Sequence, residues 1–518
     1  MPPGADYRRD VTYLPTVHRE LSVAWLRQAL LLGGQHQGDF GTGPFHWLEI
    51  GCGAGLNLIF NAAAHPEAHF YGIDLHPSHV AEAEALARQL DLANVSFAVA
   101  DLTSFRQGRP PSGPARLWPE QFDAVVAHGV ASWVGPETRQ ALLEAAAAVL
   151  RPGGVFFCSY NTYPGWLGRS ALNMLALEQA QRTGGQTSQA GLLASARLLE
   201  ALLGEAEKPL PLGRALPQLR ADLGGLEHQP VSYLLGEYHS CHQPLYVGPM
   251  HRQAAGCGLH WIGSATLPEL FPQLLDPQRR ELVLAAADAE LREVLLDLAI
   301  HQSFRRDLFA YGRRPLPATE HRRRLEPVLL MQVGADLAGF TEVPTSLGQM
   351  GLEPEFCGRL QQLLGAGPVP LAVVASELGE DLLALLPWLA LLITAEAVAL
   401  TMPGEEEGKA AFNRQLLERI TAGAPIDALL SPVLGQPVRI TAVEAFLLQA
   451  WEQGIAAEEV PQLAMLGMGM AGAELRDAEG KPLEDPALAW EQLEEQWRTF
   501  AEKRLPVLRR LGVSYRPG

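Results

Sequence analysis

Cysteine is scarce. The 518-residue chain has five, at positions 52, 158, 241, 257 and 357. Their number is odd and no two stand in C-x-x-C spacing, so neither a disulfide framework nor a zinc knuckle is supported, and no metal site is expected. Long apolar runs are missing too: none reaches the roughly 18 residues that would suggest a membrane-spanning helix, so no membrane insertion is expected. The N-terminal stretch MPPGADYRRDVTYLP has no hydrophobic signal core, and a cytoplasmic protein is expected. Positive charge is in deficit. Lys and Arg number 40 against 58 Asp and Glu, a net charge of −18. That balance opposes nucleic-acid binding, which depends on neutralising phosphates, and no specific nucleic-acid contact is expected.

What is present is concentrated between Trp47 and Asp74. An apolar strand, Trp47–Ile50, runs into Gly51-Cys52-Gly53-Ala54-Gly55, an amphipathic helix follows, and a second strand, His69–Ile73, ends on Asp74. Glycines allow a sharp turn and close approach of a ligand to the backbone. The start of the helix offers free N–H groups. An acid some 20 residues further on can accept both hydroxyls of a ribose. The unit therefore reads as a nucleoside-binding βαβ. Its spacing is G-x-G-x-G rather than the dinucleotide G-x-G-x-x-G. Glu49, two residues before the first glycine, would repel a pyrophosphate but suits an amino-acid amine. A third strand, Val95–Ala100, ends on Asp101-Leu102, where a carboxylate can accept the exocyclic amine of adenine. A fourth, Phe122–Ala127, opens onto His128-Gly129. Helix Pro136–Leu150 and Arg151-Pro152-Gly153-Gly154 then lead into Val155–Ser159.

Over residues 45–160 this ordered set resembles the class I methyltransferases that use S-adenosylmethionine (AdoMet). The resemblance extends further. Asp10–Glu20 with Tyr13, Pro15 and His18, the segments His128–Val134 and Ser159–Trp166, the run Tyr233–His239, Pro244–Tyr246, Cys257–Gly263 and Phe304–Phe309 are similar to a bacterial group with a methyltransferase regulatory region. That group includes the protein-lysine methyltransferases that modify outer-membrane proteins of rickettsiae. Two departures stand out: Ala131 where the group has Tyr in HGVYSWV, and Gly236-Glu237-Tyr238-His239 in place of HEYL.

The expected fold class is α/β: a Rossmann-like class I methyltransferase domain followed by mainly helical domains, one of them reading as a winged helix. The boundaries read as an N-terminal helical segment (1–44, with a helix over Glu20–Leu32), the AdoMet-binding domain (45–165), a helical insertion and regulatory region (166–325), a winged-helix-like middle domain (326–405) and a helical C-terminal domain (406–518). The sheet's remaining strands are expected beyond the insertion, with Leu259–Ser264 as one of them. The loop GRPPSGPARLWPE is expected at the rim of the site. In the middle domain, Pro370–Leu378 and Glu380–Ala395 read as helices and Val398–Met402 as a strand before Pro403-Gly404. The second helix lacks Lys and Arg, which argues for packing rather than DNA reading.

The AdoMet resemblance assigns roles. Glu49 and the backbone of Gly51, Gly53 and Gly55 hold the methionine part, Asp74 the ribose and Asp101 with Leu102 the adenine, and Leu75 also lines the cofactor site. His128 and Gly129 lie on the cofactor side, and His128–Val134 reaches the methyl and the acceptor. His128 reads as a base, a donor to the cofactor or a structural residue, with the cofactor-shaping role favoured. Asn161 and Tyr163 offer oxygens to an incoming amine. Trp133 and Trp166 could wall an ammonium channel or simply pack. Tyr13, Tyr233 and Tyr238 are weaker candidates for capping it. The expected activity is methyl transfer to lysines of a protein substrate. A small-molecule methyltransferase and an AdoMet-binding regulatory protein stand as alternatives, and a homodimer is left open.

Overall fold

The computed structural model describes residues 15–36, 40–41, 43–106, 118–182, 185, 187–312, 314–334, 336–401, 409–477 and 481–516. Tyr13, most of the proline-rich loop before Trp118, and Pro403-Gly404 lie outside the described residues.

Seven strands form the central sheet: β1 His46–Ile50, β2 His69–Asp74, β3 Val95–Val99, β4 Phe122–Ala127, β5 Leu150–Asn161, β6 Leu259–Ser264 and β7 Phe304–Tyr311, in spatial order 3-2-1-4-5-7-6. Strands β1 to β5 pair in parallel, and β7 runs antiparallel between β5 and β6. The order reverses at β1, so the crevice that opens there, beyond the carboxyl ends of β1 and β4, is the ligand-binding position of an open α/β sheet. Leu259–Ser264 is a strand as expected. Its partner β7 sets Phe304 opposite Asn161, the last residue of β5, which brings the start of β7 to the same crevice.

Helices α1 Val23–Leu32, α2 Leu56–Ala64, α3 Pro77–Gln89, α4 Leu102–Phe105 and α5 Pro136–Val149 pack around the sheet. The helix expected over Glu20–Leu32 is broken. A 3₁₀ turn covers Arg19–Leu21, and α1 starts afresh because the Ser22 side chain caps it, accepting from the Trp25 N–H at 3.2 Å. Nearly every residue of α1 is buried, because it is sandwiched. Trp25 Nε1 donates to the carbonyl of Ala265 beside β6, and Gln28 Nε2 donates to that of Leu400 in the C-terminal half. One continuous apolar cluster accordingly runs from α1, α2 and one sheet face to Leu330, Leu389, Leu447 and Leu508. The opposite face packs on α5 and the helix Val247–Gly256 around Phe156, Phe309 and Leu142.

Between β5 and β6 lies a helical excursion with α6 Leu167–Arg182, α7 Gln189–Leu203 and the helix Val231–Glu237. It has a small core of its own, including Trp166, Leu172, Leu199 and Tyr238. Farther on, helices Leu371–Leu378 and Leu382–Thr394 precede the strand Val398–Thr401 in the expected order. That strand pairs with Leu329–Gln332. The second of these helices turns most of its side chains into the core. The C-terminal region is helical but also holds a hairpin, Ala428–Ser431 with Gln436–Arg439, which short strands with little alternation did not reveal. No helix among the described residues is long and apolar enough to cross a membrane.

Candidate active site

Two adjoining cavities open at the carboxyl end of β1. The smaller, about 100 Å³, is lined by Ile50, Ile73, Leu75, Ala100, Asp101 and Leu102. The larger, about 480 Å³, is lined by His18, Glu49, the turn Gly51–Gly55, Asn57, His128, Trp133, Asn161, Trp166, Tyr233 and Glu237. Gly51, Asp74 and Gly129 line both, so a single elongated ligand can span them with its middle at Asp74.

The turn after β1 has to be glycine at its ends. At Gly51 (φ +75°) a Cβ would come within 2.6 Å of Val130, and at Gly55 (φ +74°) within 2.6 Å of the Phe97 ring and 2.8 Å of Ala83. The tight turn aims Gly53 N–H at Asp74 Oδ2 at 2.9 Å, while His76 N–H donates to Oδ1 at 2.8 Å and His79 Nδ1 lies 3.4 Å from Oδ1. Burial works against the Asp74 charge, yet the bonds from His79, His76 and Gly53 keep its carboxyl below the usual range. Asp74 is thus a fixed carboxylate where the two cavities join, with Oδ2 still able to accept from a ribose hydroxyl. Asp101 caps α4, its Oδ1 accepting from Thr103 N–H at 2.8 Å and Thr103 Oγ1–H at 2.6 Å. Oδ2 is the oxygen available for an exocyclic amine. Glu49 is buried, and burial pushes its pKa up to about 8, against the donor Asn57 at 3.3 Å and with the repulsion of Asp74. A cationic amine in the larger cavity would restore its charge.

His128 sits between the two ends. Its Nδ1 is 2.9 Å from Ser159 Oγ, which also accepts the Gly129 N–H at 3.1 Å, and its ring centroid is 4.3 Å from that of His18. Burial, with His18 and Arg306 adding, holds it well below the ordinary histidine range. It is neutral and locked in orientation, which suits shaping the cofactor pocket better than shuttling protons.

The far end of the larger cavity is polar on one side and aromatic on the other. Asn161 Nδ2 donates to Glu237 Oε2 at 2.7 Å and to His242 Nε2 at 2.9 Å. His242, pushed down to about 3 by burial and His239, is neutral and can accept. Its ring lies 4.6 Å from Trp166 and 5.8 Å from Trp133. Burial raises the Glu237 carboxyl to about 7, with Asn161, Arg169 and Trp133 acting the other way. Trp133 Nε1 is near enough to favour the charge but makes no well-formed hydrogen bond.

Of the residues singled out from sequence, Glu49, Gly51, Gly53, Gly55, Asp74, His128, Gly129, Trp133 and Asn161 meet in the larger cavity, and Leu75, Asp101 and Leu102 in the smaller. Tyr163 is not brought to either. Its ring lies 4.7 Å from that of Tyr246, tilted, and its hydroxyl meets Ser170 at 3.2 Å, because the chain leaves the strand after Asn161 and Thr162 bridges to Leu245. Tyr238 is buried against Trp166, whereas Tyr233 reaches the rim. Sequence reading missed Asn57, His79, Arg306, His242 and the role of Glu237. Each comes from a different element, and no local spacing links them.

The fold and this site define a class I AdoMet-dependent methyltransferase. Residues 48–156 match the methyltransferase domain family, and residues 231–310 match the predicted methyltransferase regulatory domain family. An uncharacterised protein of Synechocystis is 27% identical over 480 residues, covering 91% of this chain and 92% of its own. An uncharacterised protein of Rickettsia prowazekii is 26% identical over 269 residues, 51% of this chain and 46% of that protein. In structure, the chain is similar to PKMT2 from Rickettsia typhi in complex with AdoHcy, with a TM-score of 0.69 at 19% identity over 97% of this chain and 99% of that one.

Replacing Asp74 by Ala should weaken both AdoMet and S-adenosylhomocysteine by about 1.5–3 kcal/mol, the worth of a hydrogen-bonded charge. Calorimetry that finds the variant's affinity unchanged would remove the ribose assignment.

Proposed function

We propose that the protein transfers the methyl group of AdoMet to lysine side chains of a protein substrate. The observation that carries this reading is the far end of the larger cavity, where Trp133, Trp166 and Tyr233 stand around the Glu237 carboxylate and the Asn161 amide. Aromatic faces attract an ammonium group, and an amide oxygen accepts an amine hydrogen. Asn161 spends its N–H groups on Glu237 and His242, so its Oδ1 is the atom left for the acceptor. The two arginines that line the same cavity already have partners. Arg169 pairs with Asp222 at 3.0 Å, and Arg306 donates to Thr266 at 3.3 Å and lies in the field of Glu20.

Bound AdoMet supplies an electrophilic methyl on a sulfonium. The chain's own residues then have three tasks: alignment, exclusion of water and presentation of a neutral amine. Asp74 and Asp101 fix the adenosine, and neutral His128 lies between cofactor and acceptor. The group's tyrosine is absent at Ala131, which is buried here, so Trp133 on the same segment and Tyr233 on the insertion form the acceptor wall. The resemblance of the segments 128–134 and 159–166 to the rickettsial protein-lysine methyltransferases supports the same substrate class.

The test is to incubate the purified protein with isotope-labelled AdoMet and a bacterial lysate, digest the proteins and locate the label by mass spectrometry. Label on lysine Nζ is expected. Label confined to small molecules, or to other side chains, would overturn the reading.

A further inference from the structure

We infer that Glu237 is the acceptor's anchor and proton acceptor: its carboxylate binds the incoming ammonium ion directly and takes one proton from it before transfer. This rests on the lysine reading above and adds a residue whose contribution can be measured separately.

Among the described residues, Glu237 has no cationic partner of its own. Its residue is only 6% exposed, yet it lines the larger cavity. Buried carboxylates in folded proteins are paired with a cation, coordinated to a metal, or neutralised. Among the described residues no Lys or Arg forms an ion pair with it. His242 Nε2 lies 3.6 Å from Oε2, and that ring is neutral. Arg169 of α6 faces the same space but is held by Asp222. Tyr233 of its own helix and Tyr238, which caps that helix, are phenols that burial keeps protonated, and His239 lies beyond the His242 ring, 6.0 Å from it. Asn161 donates one N–H to Oε2 and so fixes the carboxylate plane without neutralising it. The result is a carboxylate with one hydrogen bond, aromatic walls, and an open cavity where its cation would stand.

The chemistry balances. The acceptor arrives as R–NH3⁺. Glu237 takes one proton, giving R–NH2 and a neutral carboxylic acid. The nitrogen lone pair bonds to the methyl carbon as the S–C bond breaks and its electron pair returns to sulfur. The product leaves as R–NH2CH3⁺ with neutral S-adenosylhomocysteine, and Glu237 loses its proton to solvent. A carboxyl titrating near neutrality is matched to this task, whereas a free lysine, with a pKa near about 10.4, holds its proton too tightly to react unaided.

The probe is n-butylamine, added by calorimetry to the full chain saturated with S-adenosylhomocysteine, with n-butanol as the uncharged control. In the wild type, butylammonium should bind, and its affinity should rise with pH through about 7. Below that pH the empty site holds a protonated Glu237, so binding must release close to one proton to buffer. Above it, release should vanish. Glu237→Gln should lose at least about tenfold in butylammonium affinity, the scale of one charge-assisted hydrogen bond. It should show no pH-dependent proton release and leave S-adenosylhomocysteine and butanol binding unchanged. Glu237→Asp is the second variant, for the case that the amide disturbs folding, and should keep part of the affinity and the proton release. Equal butylammonium binding in wild type and Glu237→Gln would overturn this inference while leaving the lysine reading in place. No butylammonium binding by wild type would overturn both.

Discussion

Replacing Arg305 by Met should cost the fold about 3–5 kcal/mol, because it leaves buried acids without their cation. The guanidinium lies at the start of β7, fully enclosed. It pairs with Glu293 at 2.8 Å, with Asp307 at 2.9 Å and with Asp297. Asp307 in turn accepts from the Tyr160 hydroxyl on β5 and lies 2.9 Å from His251 Nε2 on the helix Val247–Gly256. The cluster therefore ties the helix Ala289–Ile300, β5 and β7 together behind the site. Burial already lifts Glu293, and raises Asp297 to about 7. Without Arg305, Glu293 and Asp297 would titrate higher still in the folded state, and Asp307, which the guanidinium holds well below the usual range, would rise with them. The folded variant then binds more protons, so its stability rises as pH falls. Urea unfolding should show a large deficit near pH 8 that narrows towards pH 5. A deficit below about 1 kcal/mol, the range of an exposed ion pair, or one that widens on acidification, would contradict this account of the cluster.

Asn161→Ala should slow methyl transfer about 100-fold through misalignment of the acceptor. S-adenosylhomocysteine affinity should stay nearly intact, because Asp74, Asp101 and the glycine turn are untouched. The side chain holds both Glu237 and His242, so its loss frees the two groups that shape the acceptor end. The effect should appear in kcat on a lysine-bearing substrate rather than in cofactor binding. If melting and activity fell together in proportion, Asn161 would be only a packing residue. If turnover and melting both stayed at wild-type values, Asn161 would have no place in the site.

The residues proposed for the cofactor were legible in the sequence because they are local. Gly51–Gly55 and Asp74 lie within one strand–turn–helix–strand unit, and Asp101 and His128 stand at the ends of the next strands, where side chains must face the crevice. The residues proposed for the acceptor were legible only in part: Asn161, Trp133, Trp166 and Tyr233 were named from their segments and line the larger cavity, but Glu237 was not singled out. Asn161 and Glu237 are 76 residues apart in the chain, and only the folding of the helical excursion joins them. Glu237 was read as part of a departure from a family pattern, yet the carboxylate itself stands in the cavity. Tyr163 was expected beside Asn161 where the strand ends, but the chain turns at Thr162, which bridges to Leu245, and the Tyr163 ring goes to Tyr246 instead. The break before α1 was similarly invisible to periodicity, since Ser22 interrupts an apolar face without changing its phase.

The excursion that carries Glu237 leaves the end of β5 and returns to it at one point, the bridge Thr162–Leu245. Leu245 N–H donates to the Asn161 carbonyl at 2.9 Å, and Tyr163 N–H donates to the Leu245 carbonyl at 3.0 Å. Residues 163–244 thus form a cassette clamped at its neck, with its own apolar centre. Lengthening or exchanging such a piece adds little closure entropy. On the proposed reading, exchanging the cassette would change acceptor choice while the glycine turn, Asp74 and Asp101 stay as they are.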